Sequence, residues 1–285
     1  MTVIRPRRSV LYMPGSNARA MEKARALPAD AVILDLEDAV APDAKEMARA
    51  QVCDVAKAKA FGAREVAIRI NGVSSEWGMD DLAAAVEAKP DAILIPKVSH
   101  PRDFAEAERR IGDANIALWA MMETPFAILN AAAIAGAGRH LACLVMGTND
   151  LVKEFRGQHT ADRQNLAAAF TICVAAGRAY GLSIIDGVYN DIANAEGFAA
   201  SCRQARAFGF DGKTLIHPSQ LAPCNEIFAP SAAEVEAARK VIAAFDLPEN
   251  KGKGAISLDG HMVERLHAEI ARQTVAMADA IEAMS

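Results

Sequence analysis

The sequence predicts an α/β fold, a (β/α)8 barrel followed by a C-terminal helical arm. Two observations predict it: eight short apolar segments recur along the chain, and most are followed by an alanine-rich helical segment. Strands that alternate with helices form a parallel sheet, and eight such units close into a barrel. A doubly wound open sheet is the alternative, but the first turn, Met13-Pro14-Gly15-Ser16, lacks the second and third glycines of a dinucleotide-binding turn.

The eight predicted strands are continuous apolar runs, which is typical of strands that are buried on both faces. Each ends at a polar residue, a glycine or a proline, where the chain turns back into solvent. In chain order they are Ser9–Met13, Ala31–Leu36, Glu65–Ile70, Ala92–Ile95, Ile116–Met122, Leu141–Met146, Leu182–Ile185 and Lys213–Ile216.

The segments between these strands carry helix start and stop signals. Pro42-Asp43 precedes the second helix, and a glycine follows several of the others. The predicted helices are Asn17–Ala26, Ala44–Phe61, Met79–Lys89, Phe104–Ile111, Thr124–Ala135, Asp162–Tyr180 and Asn190–Phe208.

One domain and one appended segment are predicted, a catalytic barrel over residues 1–246 and a linker with an arm over residues 247–285. The barrel part ends with a helix rich in Ala, Glu and Arg, Ala232–Phe245, and Leu247–Gly254 has the composition of a flexible hinge. The remaining residues continue as an amphipathic helix that is too short to be a domain. We therefore expect a lid, or an arm that packs on a neighbouring subunit.

Composition excludes several classes of function. An apolar content of 52% and a charged content of 24% are those of a globular protein in solution. A net charge of −5 with 5% aromatic residues argues against a nucleic-acid partner, and no apolar run is long enough to cross a membrane. The run Val10–Met13 is too short for a secretory signal, and the five cysteines fit small buried residues in a reducing compartment, so we expect a cytoplasmic protein.

Polar residues follow seven of the eight predicted strands at their carboxyl ends. In barrel enzymes this edge carries the active site, so one shared site is expected there. The residues are Asp35, Glu37 and Asp38, then Arg69 and Asn71, Lys97, Glu123, the run Gly147-Thr148-Asn149-Asp150, Asp186 and His217.

Glu123 and Asp150 are the candidate metal ligands. They follow neighbouring strands, and two carboxylates completed by water and substrate oxygens suit Mg²⁺. The alternative is that each residue caps the helical turn that it precedes, as Thr124-Pro125 after Glu123 would allow.

Arg69 and Lys97 are candidate substrate-binding residues. The planar guanidinium of Arg69 pairs bidentately with a carboxylate, either of the substrate or of a structural ion pair with Asp35, Glu37 or Asp38, and both roles can hold together. Lys97 after Pro96 can form a Schiff base, but beside a metal site it is better interpreted as a supporting or phosphate-binding residue.

The N-terminal residues 1–25 are locally basic, with six Arg or Lys against Glu22 alone. A nucleotide-like polyanion such as coenzyme A would be attracted there, with Gly15-Ser16 offering backbone N–H groups. A solvated charged face is the alternative. The candidate residues are Pro14, Gly15, Arg8, Arg19 and Lys23.

Seven motifs, in order along nearly the whole chain, together resemble the family of citrate lyase β-subunits and malyl-CoA lyases. Singly they are weak, whereas jointly they are specific. They are Arg8-Ser-Val-Leu-Tyr-Met-Pro-Gly-Ser16, Leu34-Asp-Leu-Glu-Asp-Ala-Val40, Arg69-Ile-Asn71, Pro96-Lys97, Met122-Glu-Thr-Pro125, Gly147-Thr-Asn-Asp-Leu151 and Ile216-His-Pro-Ser219.

The resemblance implies a TIM barrel dependent on Mg²⁺, with Mn²⁺ as a possible substitute, that acts on a CoA thioester. It implies that Glu123 and Asp150 bind the metal and that Arg69 holds an oxo acid or its carboxylate. The N-terminal candidates then line the CoA path. The residues assigned to catalysis are Arg69, Glu37, Asp38 and Glu264. Those assigned to substrate binding are Lys97, Gly147, Thr148 and Asn149.

Glu264 is where the sequence departs from the family pattern. Members that use free CoA carry a Gly-x-Met-Val-Asp pattern, whose acid is delivered from a neighbouring subunit, and this chain has Gly260-His-Met-Val-Glu264. The leading interpretation is a lyase that cleaves or forms the C–C bond of a thioester such as (S)-malyl-CoA, giving acetyl-CoA and glyoxylate. The extra methylene also fits a malyl-CoA thioesterase, in which Glu264 holds a water.

Two further interpretations stay open, a citrate-lyase-like β subunit acting on a carrier-bound acyl group and an Mg²⁺-dependent pyruvate aldolase that works without CoA. The basic N-terminus argues mildly against the aldolase. An acid shared between subunits requires at least a dimer, and the resemblance implies a homotrimer or hexamer.

Overall fold

In a computed structural model, which describes residues 4–284, eight parallel strands form a closed barrel in which β1 pairs with both β2 and β8. The predicted barrel is confirmed, and every strand end lies within one residue of the predicted one. The strands are β1 (Ser9–Pro14), β2 (Ala31–Asp35), β3 (Glu65–Arg69), β4 (Ala92–Ile95), β5 (Ala117–Met122), β6 (Leu141–Met146), β7 (Ser183–Asp186) and β8 (Gly212–Leu215).

Helices flank the barrel strands and continue beyond β8. Two short helices that the sequence did not predict lie after β6 and β8. The helices are α1 (Ala18–Ala24), α2 (Lys45–Lys57), α3 (Gly78–Ala88), α4 (Ala105–Ile111), α5 (Pro125–Leu129), α6 (Ala131–Ala135), α7 (Thr148–Glu154), α8 (Ala167–Ala179), α9 (Ala195–Phe208), α10 (Leu221–Phe228), α11 (Ala232–Asp246) and α12 (Arg265–Glu282).

The barrel interior is filled by side chains that alternate along the strands. A single buried cluster includes Ile33 of β2, Ala67 of β3, Met121 of β5 and Val145 of β6. Residues two positions apart on a strand share one face. The side chains two residues further on therefore also face the barrel axis, at its carboxyl end.

The predicted helix Thr124–Ala135 is broken in two at Asn130. The Nδ2 atom of Asn130 donates to the carbonyl of Ser99 at 2.9 Å and lies 3.1 Å from Nδ1 of His100, in the loop after β4. Asn130 has φ −103° and ψ 11°, outside the helical region, because its side chain is tied to that loop.

The chain divides into two compact units, and the boundary differs from the predicted one. Arg7–Glu226 forms the barrel unit, whereas α11 groups with the residues that follow it. The boundary between the compact units thus falls before α11, whereas the predicted division lies after residue 246. Phe245 of α11 belongs to a small separate core with Ile256 and Ala268.

The second unit contains a hairpin that the sequence analysis did not predict. Strands β9 (Ala255–Leu258) and β10 (His261–Glu264) pair antiparallel, and Asp259 and Gly260 between them both have positive φ. That conformation is the one that a two-residue hairpin turn requires, and Asp-Gly is a preferred pair for it. The predicted amphipathic helix follows as α12.

All five cysteines are buried and free, as predicted. Within residues 4–284, no helix combines the length and apolar character needed to cross a bilayer.

Candidate active site

The alternation along the strands brings three charged side chains together at the carboxyl end of the barrel. Asp35 follows Ile33, Arg69 follows Ala67 and Glu123 follows Met121 on the same face of their strands. Asp35 and Arg69 are direct partners in the β2–β3 register. A charged site at this edge is therefore a consequence of the strand pattern.

Arg69 is fixed by a bidentate ion pair. Its Nε and Nη2 atoms donate to Asp35 at 2.6 and 2.7 Å, and its guanidinium lies over the ring of Tyr12. Nη1 lies 2.9 Å from Glu37 Oε2 and 3.8 Å from Asp38. Such a pair orients the guanidinium before any ligand arrives.

Glu37 and Asp38 occupy different environments. Glu37 is buried and bridges Arg69 and Lys97, whose Nζ donates to Glu37 Oε1 at 2.7 Å. Burial raises the pKa of Glu37, although Arg69 and Lys97 oppose the rise. Asp38 is 61% exposed and lines the cavity at the barrel mouth. Of the two, only Asp38 faces the space that a substrate would occupy.

Lys45 holds the loop that carries these acids, a role that the sequence analysis did not identify. Its Nζ donates to the carbonyls of Leu36 and Glu37, each at 2.7 Å, and to Asn71 Oδ1 at 2.8 Å. Burial lowers the pKa of Lys45. Three acceptors on one buried ammonium fix the loop after β2 against the end of β3.

Glu123 is 2% exposed and lies among other negative groups. Burial and the charge of Glu37 raise the pKa of Glu123 to about 7, and the charge of Asp150 adds to the rise. Its Oε1 accepts a hydrogen bond from the backbone N–H of Lys97 at 2.7 Å, and Lys97 has a left-handed φ of 54°. The carboxylate is thus held in place while its charge is poorly compensated.

Gly147 leaves room for Glu123. A Cβ atom at Gly147 would lie 2.5 Å from Cβ of Glu123 and 2.9 Å from Cε of Met121. These are distances that real Cβ atoms do not show, so a side chain at residue 147 would displace Glu123. The glycine therefore lets the start of α7, with Asp150, approach Glu123 closely.

A cavity of about 330 Å³ opens at the barrel mouth beside these groups. The predicted residues Arg69, Asp38, Glu123, Asp150 and the run Gly147–Asn149 all line it. Sequence reasoning missed Tyr12, Val188, Asn190 and Thr214, because inward-facing residues and residues deep in a loop carry no separate motif.

The two carboxylates fit a hard divalent cation. They follow the adjacent strands β5 and β6 and face one cavity, where burial and neighbouring negative charges raise the pKa of Glu123. Among residues 4–284 no group of three or more His, Cys, Asp or Glu side chains is arranged around one point. Mg²⁺ accepts such a site, because it keeps several waters and takes one or two carboxylates.

Gly15 and Pro14 lie at the carboxyl end of β1, at the same edge of the barrel. The N–H of Gly15 donates to the carbonyl of Asp35 at 2.8 Å, and a Cβ there would lie 2.7 Å from that oxygen. Arg19 and Lys23 are exposed on α1.

The assignment of Arg8 to the CoA path is wrong. Arg8 precedes β1, at the opposite end of the barrel from the cavity, and its Nε and Nη2 atoms pair with Asp30 at 2.8 Å. Arg7 likewise pairs with Glu65, at the start of β3. These guanidiniums close the amino end of the barrel by ion pairing.

Asp186 and His217 have structural partners. Asp186 is fully buried and paired with Lys213 and Arg163, which together hold the pKa of Asp186 down against the effect of burial. His217 Nδ1 accepts the N–H of Ser219 and caps a short turn.

Glu264 lies in the second unit, at the end of β10, where it is exposed and precedes α12. Its carboxylate accepts the N–H at the third position of α12, and its own N–H donates to Nδ1 of His267 at 2.9 Å. This capping box fixes the residue locally.

The fold is that of a known enzyme family. The model of HpcH/HpaI aldolase/citrate lyase matches residues 8–218, and the chain belongs to this family. The resemblance inferred from the sequence motifs is thereby confirmed.

Two curated relatives match along almost their whole length. The chain is 51% identical to the (3S)-malyl-CoA thioesterase of Cereibacter sphaeroides (strain ATCC 17029 / ATH 2.4.9), with 98% of this chain and 96% of the relative aligned. It is 33% identical to citrate lyase subunit beta of Escherichia coli (strain K12), covering 96% of this chain and 94% of the relative.

Solved structures show the same barrel. The protein CitE from Mycobacterium tuberculosis, in complex with magnesium, acetoacetate and coenzyme A, superposes with a TM-score of 0.77 at 27% identity, over 95% of this chain and 97% of that chain. A citrate lyase from Burkholderia xenovorans LB400 has a TM-score of 0.84 at 21% identity, over 99% and 94% of the two chains, which is a likeness of fold.

Proposed function

We propose that the protein hydrolyses a β-hydroxy dicarboxylic acyl-CoA thioester of the (S)-malyl-CoA type to malate and free CoA, with Mg²⁺ at Glu123 and Asp150. One observation carries the proposal: a cavity of about 330 Å³ holds a fixed guanidinium together with two carboxylates. That set suits a carboxylate with a neighbouring hydroxyl group. The 51% identity to a (3S)-malyl-CoA thioesterase supports this substrate and favours hydrolysis as the reaction to test first.

Arg69 binds the carboxylate of the malyl group in this proposal. Asp35 holds two guanidinium nitrogens and Tyr12 covers one face, so the group is positioned before the substrate binds. Lys97 and Glu37 support Arg69 from the side, and Gly147–Asn149 form the wall opposite. A bound Mg²⁺ supplies Lewis-acid polarisation of the oxygens that it holds.

Hydrolysis requires a water and a base at the thioester carbonyl. Water attacks this carbon, the C–S bond breaks, and the CoA thiolate leaves and takes up the proton that the base removed. We propose that Glu264 of a neighbouring subunit is this base, and that Asp38 at the cavity rim orients the water. The exposure of Glu264 at the end of β10 supports the assignment.

A shared site requires an oligomer, and we propose a homotrimer or hexamer. Pro14, Gly15, Arg19 and Lys23 are assigned to the CoA path at the carboxyl end of β1 and on the helix that follows. A cytoplasmic location, where CoA thioesters are made and used, belongs to the same proposal.

Carbon–carbon cleavage of the same thioester is the second candidate. It is favoured by the match to an aldolase and citrate lyase family and by the similarity to citrate lyase subunit beta, which also leaves open a carrier-bound acyl group. The hydroxyl proton is lost, the C–C bond breaks to release glyoxylate, and the enolate of acetyl-CoA gains a proton from an acid. Glu264 serves as that acid in this case.

The experiment follows three products at once. Purified protein is incubated with (S)-malyl-CoA and Mg²⁺, with EDTA as the control, and malate, free CoA and glyoxylate are measured. Malate and free CoA without glyoxylate support hydrolysis, whereas glyoxylate with acetyl-CoA supports cleavage. Turnover that persists in EDTA contradicts the metal assignment, and no product of either kind contradicts the substrate.

One substitution tests the role of Glu264. We expect Glu264→Gln to lower turnover by about 10²-fold or more, while leaving Mg²⁺ binding to the barrel unchanged. Sedimentation of the active enzyme checks the oligomer. A fully active monomer contradicts a site shared between subunits.

A further inference from the structure

A second cavity, of about 220 Å³, lies beside the substrate cavity. It is bounded by the loop after β7 and by the segment that connects α7 to α8. Three residues, Thr148, Val188 and Asn190, line both cavities. We call these three residues the partition, because they are the wall that the two cavities share.

The inner part of the partition is closely packed. Thr148 is buried, and a Cβ atom at Gly187 would lie 2.7 Å from Cγ2 of Thr148 and 2.8 Å from the carbonyl of Met146. The loops after β6 and β7 are therefore in direct contact at this level. No ligand passes between the cavities there.

The outer part of the partition depends on one pair of amide side chains. Asn149 Nδ2 donates to Asn190 Oδ1 at 3.2 Å, and Asn190 Nδ2 donates to Asn149 Oδ1 at 2.8 Å. Both residues are exposed, so shortening Asn190 leaves no buried polar group without a partner. This part can be removed by substitution without disturbing the barrel.

The far walls of the second cavity are suited to a small alkyl group. They include the aliphatic side chains of Val152 and Leu166, with Thr160, Asn165 and His159 at the polar side. The cavity lies next to α7, the helix that carries Asp150. An acid held between Arg69 and the two carboxylates thus has the partition as its wall on the β6–β7 side.

We propose that the partition limits the size of the group that the hydroxyl-bearing carbon of the acid can carry, and that Asn190 is the residue that determines this limit. The inference rests on the proposed function, because the acid is the one that Arg69 and the metal site hold. The excluded ligands are malyl-type acids with an additional ethyl or propyl group on that carbon. The thioester arm of the substrate already takes the direction of the CoA path, so the added group would have to extend into the second cavity.

Binding of free acids tests the partition separately from thioester turnover. Malate and its 2-methyl, 2-ethyl and 2-propyl derivatives are titrated calorimetrically, with Mg²⁺, into the wild type and Asn190→Ala. We expect the variant to gain roughly fourfold in affinity per additional methylene for the two larger acids, while malate changes less than twofold.

Two further variants separate the wall from other effects. Asn165→Ala shortens a side chain of the same kind on the far wall, and Asn190→Leu keeps the volume of the wall without its hydrogen bonds. Both are expected to keep the wild-type preference for malate over its larger derivatives. Equal gains in Asn165→Ala and Asn190→Ala would overturn the partition.

The outcomes distinguish the two proposals. If the wild type binds malate and Asn190→Ala shows no gain for the larger acids, the partition is refuted and the proposed function stands. If the wild type binds none of the four acids in Mg²⁺, the acid site of the proposed function is refuted, and the partition with it.

Discussion

The stability of the metal-free protein should depend on the protonation of Glu123. Burial and the charge of Glu37 raise the pKa of this group to about 7, from the usual 4.5. The folded state therefore holds this proton more tightly than the unfolded state does. The resulting contribution to folding is complete below pH 4.5 and is lost as the pH rises through 7. A difference of about 2.5 pH units corresponds to roughly 3 kcal/mol.

Urea unfolding in EDTA, at several pH values between 5 and 8.5, measures this contribution. Glu123→Gln is the matched variant, because an amide keeps an oxygen that can accept the N–H of Lys97 and does not titrate. Relative to this variant, the wild type should lose about 2.5 kcal/mol of its free energy of unfolding over the range, because a small part of the contribution is already lost at pH 5. The same pH dependence in both proteins would refute the reasoning.

Three further changes test the site. Arg69→Lys keeps the charge but loses the bidentate pair with Asp35, so KM for the thioester should rise at least about tenfold, and an unchanged KM would contradict the role. Gly147→Ala should weaken Mg²⁺ binding about tenfold or more in calorimetry, since the new Cβ displaces Glu123. A variant that binds Mg²⁺ as tightly as the wild type would contradict the role of Glu123 as a metal ligand. Glu264→Asp should raise the ratio of glyoxylate to malate, and product analysis showing a constant ratio would separate Glu264 from the choice of reaction.

The barrel strands could be predicted because burial on both faces leaves a direct mark on sequence. Each strand is a short apolar run, and its end is where the chain becomes polar. The break at Asn130 could not be predicted in this way, because the composition of residues 124–135 is helical throughout. What ends the helix is a hydrogen bond to Ser99, a contact between residues 31 positions apart.

The acids and Arg69 could be predicted because the active edge of a barrel coincides with the strand ends. The assignment of Arg8 failed because a count of basic residues does not show at which end of a strand each residue lies. Lys45 and Asn190 were missed for another reason. Their roles come from loops that meet in space, and neither stands in a recognisable motif.

The hairpin before α12 could have been predicted from the sequence. Asp259-Gly260 between two short segments is a typical two-residue turn, and both residues adopt positive φ. The division between the two units was not visible, because α11 resembles the barrel helices in composition. Its assignment depends on the packing of Phe245 with Ile256 and Ala268.

The hydrogen bond from the backbone of Lys97 to Glu123 has a consequence for how this site tolerates change. The carboxylate is held by a main-chain N–H whose residue sits at φ 54°, so the requirement at position 97 concerns conformation before side-chain chemistry. Glycine and asparagine adopt this conformation readily, whereas valine and isoleucine do not. Replacing Lys97 by glycine or asparagine, which removes the charge, would therefore leave the carboxylate of Glu123 in place. Replacing it by valine or isoleucine would move this carboxylate.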